Sequence, residues 1–177
     1  MKRSANVARV LCAMLLSSSC GDSPTGPTGV ENSLVFTRAN QSRISFPSDA
    51  RLFVWCGPWD NLVATPSLQV LLAGANSSWH LQAVVSDVTI GNPLTFPNVF
   101  ISNQPKNVDL FVHDEPNELS TSEDESTGSI TFQKLNCGSG GEVQFSINAT
   151  IGSEFGNGPS ITVAGAFRSP IGNPPPT

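Results

Sequence analysis

The 177-residue chain contains no tyrosine and only two histidines, His80 and His113. Neither stands in a motif that carries chemistry. The G-x-S-x-G nucleophile elbow, the H-E-x-x-H zinc helix and the Gly-rich phosphate loop are all missing from the sequence. Basic residues are few, nine against fourteen acidic ones. Their scatter leaves no electrostatic footprint for nucleic acid. The apolar run near the start, Val10 to Leu16 (VLCAMLL), has seven residues. As a helix it would span roughly 10 Å, against the roughly 20 residues of a transmembrane helix. It cannot be a permanent span. No stretch places apolar residues at i, i+3, i+4 and i+7 behind a start signal, so amphipathic helices are excluded as the main building element.

What the chain does have is alternation with a period of two. Between Glu142 and Ile151, the residues Val143, Phe145, Ile147, Ala149 and Ile151 alternate with Gln144, Ser146, Asn148 and Thr150. Such a segment buries one face and wets the other, as a half-buried strand does. Ile161, Val163 and Phe167 continue the pattern, with Gly165 where a side chain would fall. A bulge or a close neighbour is the usual reason for such a glycine. Alternation also marks Leu68–Leu72, Trp79–Val85, Val108–Val112 and the segment opening with Ile130 and Phe132. Leu34–Arg38, Arg43–Phe46, Arg51–Cys56 and Leu94–Ile101 are further strand candidates.

Turn signals separate most of these segments: Gly57-Pro58, Gly74-Ala75-Asn76, Gly91-Asn92-Pro93 and Asn157-Gly158-Pro159. Nine or ten short strands without crossover helices predict an all-β fold, an antiparallel β-sandwich, with a closed β-barrel as the alternative. The strands between Gly128 and Arg168 read as a meander.

The first 19 residues read as an export signal. Lys2, Arg3 and Arg9 precede the apolar run, and Ser17-Ser18-Ser19 follows it directly before Cys20. Leu16-Ser17-Ser18-Ser19-Cys20 resembles the lipobox of bacterial lipoproteins, although Ser17 stands where leucine is commonest. The resemblance implies cleavage before Cys20, thioether lipidation of that cysteine and acylation of the new N-terminus. Gly21 follows, where an aspartate would resemble an inner-membrane retention signal, so the implied destination is the outer membrane if the host has one. The closing Ile-Thr-Val-Ala-Gly-Ala-Phe resembles the G-x-F ending of β-sandwich domains in other small bacterial lipoproteins of no assigned function.

Removing residues 1–19 takes three basic residues and no acidic ones, leaving 6 − 14 = −8. An anionic membrane surface repels such a chain, so attachment has to come from lipid, and two or more acyl chains hold stably. Of four cysteines, Cys12 leaves with the signal and Cys20 is lipidated. Cys56 and Cys137 remain, and in an oxidising compartment they are expected to form one disulfide. Residues 20–33 carry the lipidated cysteine and a Gly-, Pro-, Ser- and Thr-rich tether. Residues 34–170 form one domain, and 171–177 a Pro-rich structureless tail.

Candidate sites are few. Six of the twelve residues from Asp114 to Glu125 are carboxylates: Asp114, Glu115, Glu118, Glu123, Asp124 and Glu125. A hard cation such as Ca²⁺ takes six to eight oxygen ligands, which makes the segment a candidate site. Its spacing does not match an EF-hand, and the competing reading is a solvated connector. Trp59, after Gly57-Pro58, is a candidate for stacking on a sugar ring. Trp55 and Trp79 are expected in the core, Trp55 against the disulfide. His113-Asp114-Glu115 puts a base beside carboxylates, as hydrolases do.

The reading that needs least is a lipid-anchored cell-envelope protein with a non-enzymatic binding or scaffolding domain. It implies no cofactor beyond a candidate Ca²⁺ and no nucleic acid. Its partners are the membrane, through lipid on Cys20, and envelope polysaccharide or protein. The alternatives are a Ca²⁺-dependent carbohydrate-binding module and an envelope hydrolase.

Overall fold

The computed structural model describes residues 30–58, 66–97, 108–121, 123–153 and 158–172. Among them there are eleven strands, one 3₁₀ turn and no α-helix. One group of strands pairs as β6 (Pro93–Phe96), β9 (Thr127–Leu135), β10 (Glu142–Ser153) and β11 (Ile161–Pro170). The short β1 (Glu31–Asn32) and β2 (Val35–Arg38) both lie along β11. The second group runs β3 (Arg51–Pro58), β4 (Pro66–Ala73), β5 (Ser77–Val84), β7 (Val108–Asp114) and β8 (Asn117–Ser120). All pairings are antiparallel, and β9, β10 and β11 form the expected meander. The far end of β10 crosses over to pair Gly152 and Ser153 with Ser120 and Leu119 of β8. One sheet therefore curls over on itself to make a sandwich open along the other side.

Alternation decides what lies inside. Val143, Phe145, Ile147, Ala149 and Ile151 are buried along β10, and Leu68, Val70, Trp79, Leu81, Val108, Leu110 and Val112 line the facing sheet. Trp79 locks the two layers together. It stacks on Phe36 of β2 at 6.1 Å and meets Phe167 of β11 edge-on at 5.9 Å. Phe167 in turn stacks on Phe145. Aromatic pairs of this kind add about 0.5–1.5 kcal/mol each beyond area burial.

Gly165 sits where β1 runs into β2. Its φ of +136° and the carbonyl of Ser33, 2.3 Å from where a Cβ would stand, leave room for glycine alone. Cys56 and Cys137 are joined, with Cα atoms 5.7 Å apart across 81 residues of sequence. The bond ties β3 at the edge of one layer to the β9–β10 turn of the other.

Several boundaries differ from expectation. Arg43–Phe46 makes only an isolated bridge, Arg43 to Thr37, because the chain reverses at Gln41 with φ of +67°. Residues 31–33, read as tether, are built into the sheet through β1 and the hydroxyl of Ser33, which donates to the Ala166 carbonyl. Ile171 and Gly172, read as tail, donate their N–H groups to Gly141 and Val54 carbonyls.

Candidate functional site

Strand register lays out the face of the β3–β8 sheet that points away from the core. Trp55, Gln69 and Gln82 stand in one row across β3, β4 and β5, and Asp109 of β7 completes it. The next row is Phe53, Leu71, His80 and Phe111, and beyond it Ser78, His113 and Glu118 stand side by side on β5, β7 and β8. Neighbours in such rows have Cβ atoms about 5 Å apart, within reach of one another.

Polar groups on this face are not all wet. Ser67, Gln69, Asp109 and Ser120 are buried there. A directional chain of hydrogen bonds satisfies them. The Gln82 amide nitrogen lies 3.2 Å from His80 Nδ1, and His80 Nε2 lies 2.7 Å from Gln69 Oε1. Gln69 Nε2 then donates to Ser67 Oγ, and Ser67 donates to the Gly57 carbonyl. This order requires the neutral imidazole with its proton on Nε2. Burial pushes the His80 pKa below its ordinary 6.5, against a weaker upward pull from Asp109. Both ring nitrogens are thus occupied by glutamine side chains. Asp109 accepts from Ser120 and Thr121 hydroxyls at 2.8 and 2.9 Å.

Trp55 belongs to this face and not to the core, a correction to the sequence reading. Cys56 packs against the core, and the next side chain along a strand must point the other way. Trp79 lies where expected, 1% exposed.

His113 Nδ1 and Glu118 Oε1 are 2.6 Å apart, both side chains well exposed at 36% and 43%. Ser78 stands opposite His113 in the register, and no hydrogen bond joins the two among the described residues. The remaining acidic residues do not converge, which corrects the reading of Asp114–Glu125 as one loop. Asp114 ends β7 facing inward, where both carboxylate oxygens take 2.6 Å bonds from Nε and Nη2 of Arg38. Glu115 lies in the β7–β8 turn, Glu118 is on β8, and Glu123, Asp124 and Glu125 occupy the turn beyond it. Among the described residues, no three His, Cys, Asp or Glu side chains form a group able to hold a metal ion. The Arg38–Asp114 pair floors a cleft of ≈ 570 Å³ at this end of the sandwich, lined also by Ser45, Asn76, Ser77 and Glu115. Trp59 and Cys20 lie outside the described residues.

Sequence reasoning missed Gln69, Gln82 and Asp109. Their only signal is that each interrupts an apolar strand at an outward position. It missed Arg38 as well, 76 residues from its partner. No protein-family model, curated protein or solved structure matches this chain.

Proposed function

We propose that the chain is an exported, lipid-anchored cell-envelope protein whose β-sandwich serves as a non-enzymatic binding or scaffolding module. The observation that carries the reading is the Cys56–Cys137 bond between the two layers. Structural disulfides persist in oxidising compartments, and this one supports delivery outside the cytosol. Cys20 then has a separate role, for which the Leu16–Cys20 sequence supplies the chemistry. The test is metabolic labelling with an alkyne palmitate in a bacterial host, followed by mass spectrometry of the mature N-terminus. Label should appear on the wild type and vanish in Cys20→Ser. An unlabelled wild-type chain would end the proposal.

A second reading, an envelope hydrolase, draws on one observation: the Ser78, His113 and Glu118 row with its short His113–Glu118 bond. A serine, a base and a carboxylate that orients the base make up a nucleophilic relay. Its test is hydrolysis of p-nitrophenyl acetate by the wild type and by His113→Ala. Equal rates remove the reading. The Ca²⁺-dependent carbohydrate version draws no support from the dispersed carboxylates.

A further inference from the structure

We infer that the anchored domain stands upright on its membrane, with the turn from Asn136 to Gly141 toward the lipid and the Asp114–Glu125 end outward. This rests on the proposed lipid anchor at Cys20 and adds the direction in which the domain faces.

Strand direction supplies the first argument. β1 enters the sheet with Glu31 opposite Arg168, close to the last residue of β11, and β2 runs on until Arg38 meets Ile161. The chain before Glu31 is thus aimed past the end where β11 stops, where Glu142 begins β10 and where Gly138–Gly141 turns. The Cys56–Cys137 bond clamps the same end. Everything at the opposite end is remote from the point of attachment. There lie the β7–β8 turn, the β4–β5 turn, and Glu123 and Glu125 beside Gly152.

Tether length supplies the second. Ten residues, Gly21 to Val30, separate Cys20 from β1. Val30 packs against the core, so nine residues are left to reach the anchor. They reach at most ~32 Å at full stretch, with a root-mean-square span of ~16 Å for a Gly- and Ser-rich sequence of that length. From Arg168 to Ile161 the domain rises about 23 Å at the strand repeat. Inverting the domain would need those nine residues to cover the full height of the sheet, beyond the root-mean-square span of a chain that long. The upright pose needs no extension.

Charge supplies the third. At the outward end, among the described residues, the six carboxylates of Asp114–Glu125 and Asp49 face three guanidinium groups, Arg38, Arg43 and Arg51, a balance of 3 − 7 = −4. At the tether end, Lys134 and Arg168 both bond Glu142, Glu31 lies beside Arg168, and Asp87 follows the end of β5, a balance of 2 − 3 = −1 among the described residues. Hydrogen bonds from Lys134 and then Arg168 hold the Glu142 carboxyl below its ordinary pKa, so it stays ionised. Anionic headgroups repel the first end more strongly than the second.

The test uses the full lipidated chain, purified in detergent and reconstituted into vesicles of phosphatidylglycerol and phosphatidylethanolamine carrying a headgroup-attached nitroxide quencher. Ser139→Cys and Glu115→Cys, both at exposed turn positions, each receive a bimane label, and retention of the wild-type melting temperature shows intact folds. Bimane at 139 should be quenched at least two-fold more than at 115. Flotation of the vesicles is read first. A chain that does not float overturns the anchor and the orientation together. A chain that floats with equal quenching at both positions, or stronger quenching at 115, overturns the orientation alone.

Discussion

Trp55 and His80 stack over the β4 strand that separates their own, with ring centroids 6.3 Å apart and planes inclined by 14°. Both rings lie on the sheet face that turns away from the core. That placement sets a clear contrast with Trp79. Trp79→Ala should cost about 3–5 kcal/mol, as truncation of a fully buried aromatic does. Trp55→Ala removes a half-exposed ring and should cost only about 1–2 kcal/mol. Urea unfolding of the two variants measures the difference, and equal losses would put Trp55 back in the interior.

His80 makes stability depend on pH. Its folded-state pKa lies below the 6.5 of the free group because burial disfavours the charged ring. The unfolded chain therefore binds a proton that the folded chain refuses. Stability is fully present above about pH 6.5 and falls as the pH drops below it, down to the folded-state pKa. The unfolding midpoint of the wild type should decline from pH 7.5 to pH 5 more steeply than that of His80→Asn. Parallel profiles would show that the ring is not held neutral.

The Cys56–Cys137 bond closes a loop of 81 residues. Chain-entropy reasoning assigns it ~4.5 kcal/mol, through restriction of the unfolded chain. Replacing both cysteines by alanine should lower stability by about that amount, read as a shift in the denaturant midpoint. A shift under about 1 kcal/mol would mean that the reduced chain keeps the same constraint by other means.

Gly165→Ala should destabilise by more than about 2 kcal/mol, because it combines a left-handed backbone with a new methyl pressed against the Ser33 carbonyl. Gly140→Ala has open space around its Cβ and a positive φ alone. It should cost about 1 kcal/mol. Thermal melts of the two variants separate the steric part from the backbone part.

Arg38 and Asp114 should behave as a unit. Arg38→Ala leaves a buried carboxylate without its guanidinium, so it should lower the melting temperature more than the double variant Arg38→Ala/Asp114→Ala does. If the double variant is the less stable, the two residues act independently.

Local pattern alone was enough for the longer strands and for most of the core. A period of two over five or more residues admits only a strand with one dry face, and the alternating apolar sets read on β10 and β7 are buried, with Asp109 of β7 buried on the opposite face as well. Counting cysteines led to the disulfide, on the expectation that an export signal and a lipid anchor claim Cys12 and Cys20, and Cys56 and Cys137 are joined. The gap in alternation at Gly165 already marked a close neighbour. Pattern could not say which neighbour, because Ser33 lies over 130 residues away. It also misread Asp114–Glu125, where β8 is only four residues long and carries too few apolar positions to show a period.

The sequence by itself determined that this chain folds into strands with one buried face each, because side-chain alternation is a property of a single strand. It also placed two cysteines, Cys56 and Cys137, within the strand-forming part of the chain, where they pair. Only the tertiary structure decided that the outer face of one layer buries Gln69 and Asp109 around a neutral His80, that Trp55 joins that face, and that Arg38 claims Asp114 from the acidic run. Those outcomes depend on register between strands far apart in the chain, and register is set by the packing of the whole sheet rather than by any one segment of it.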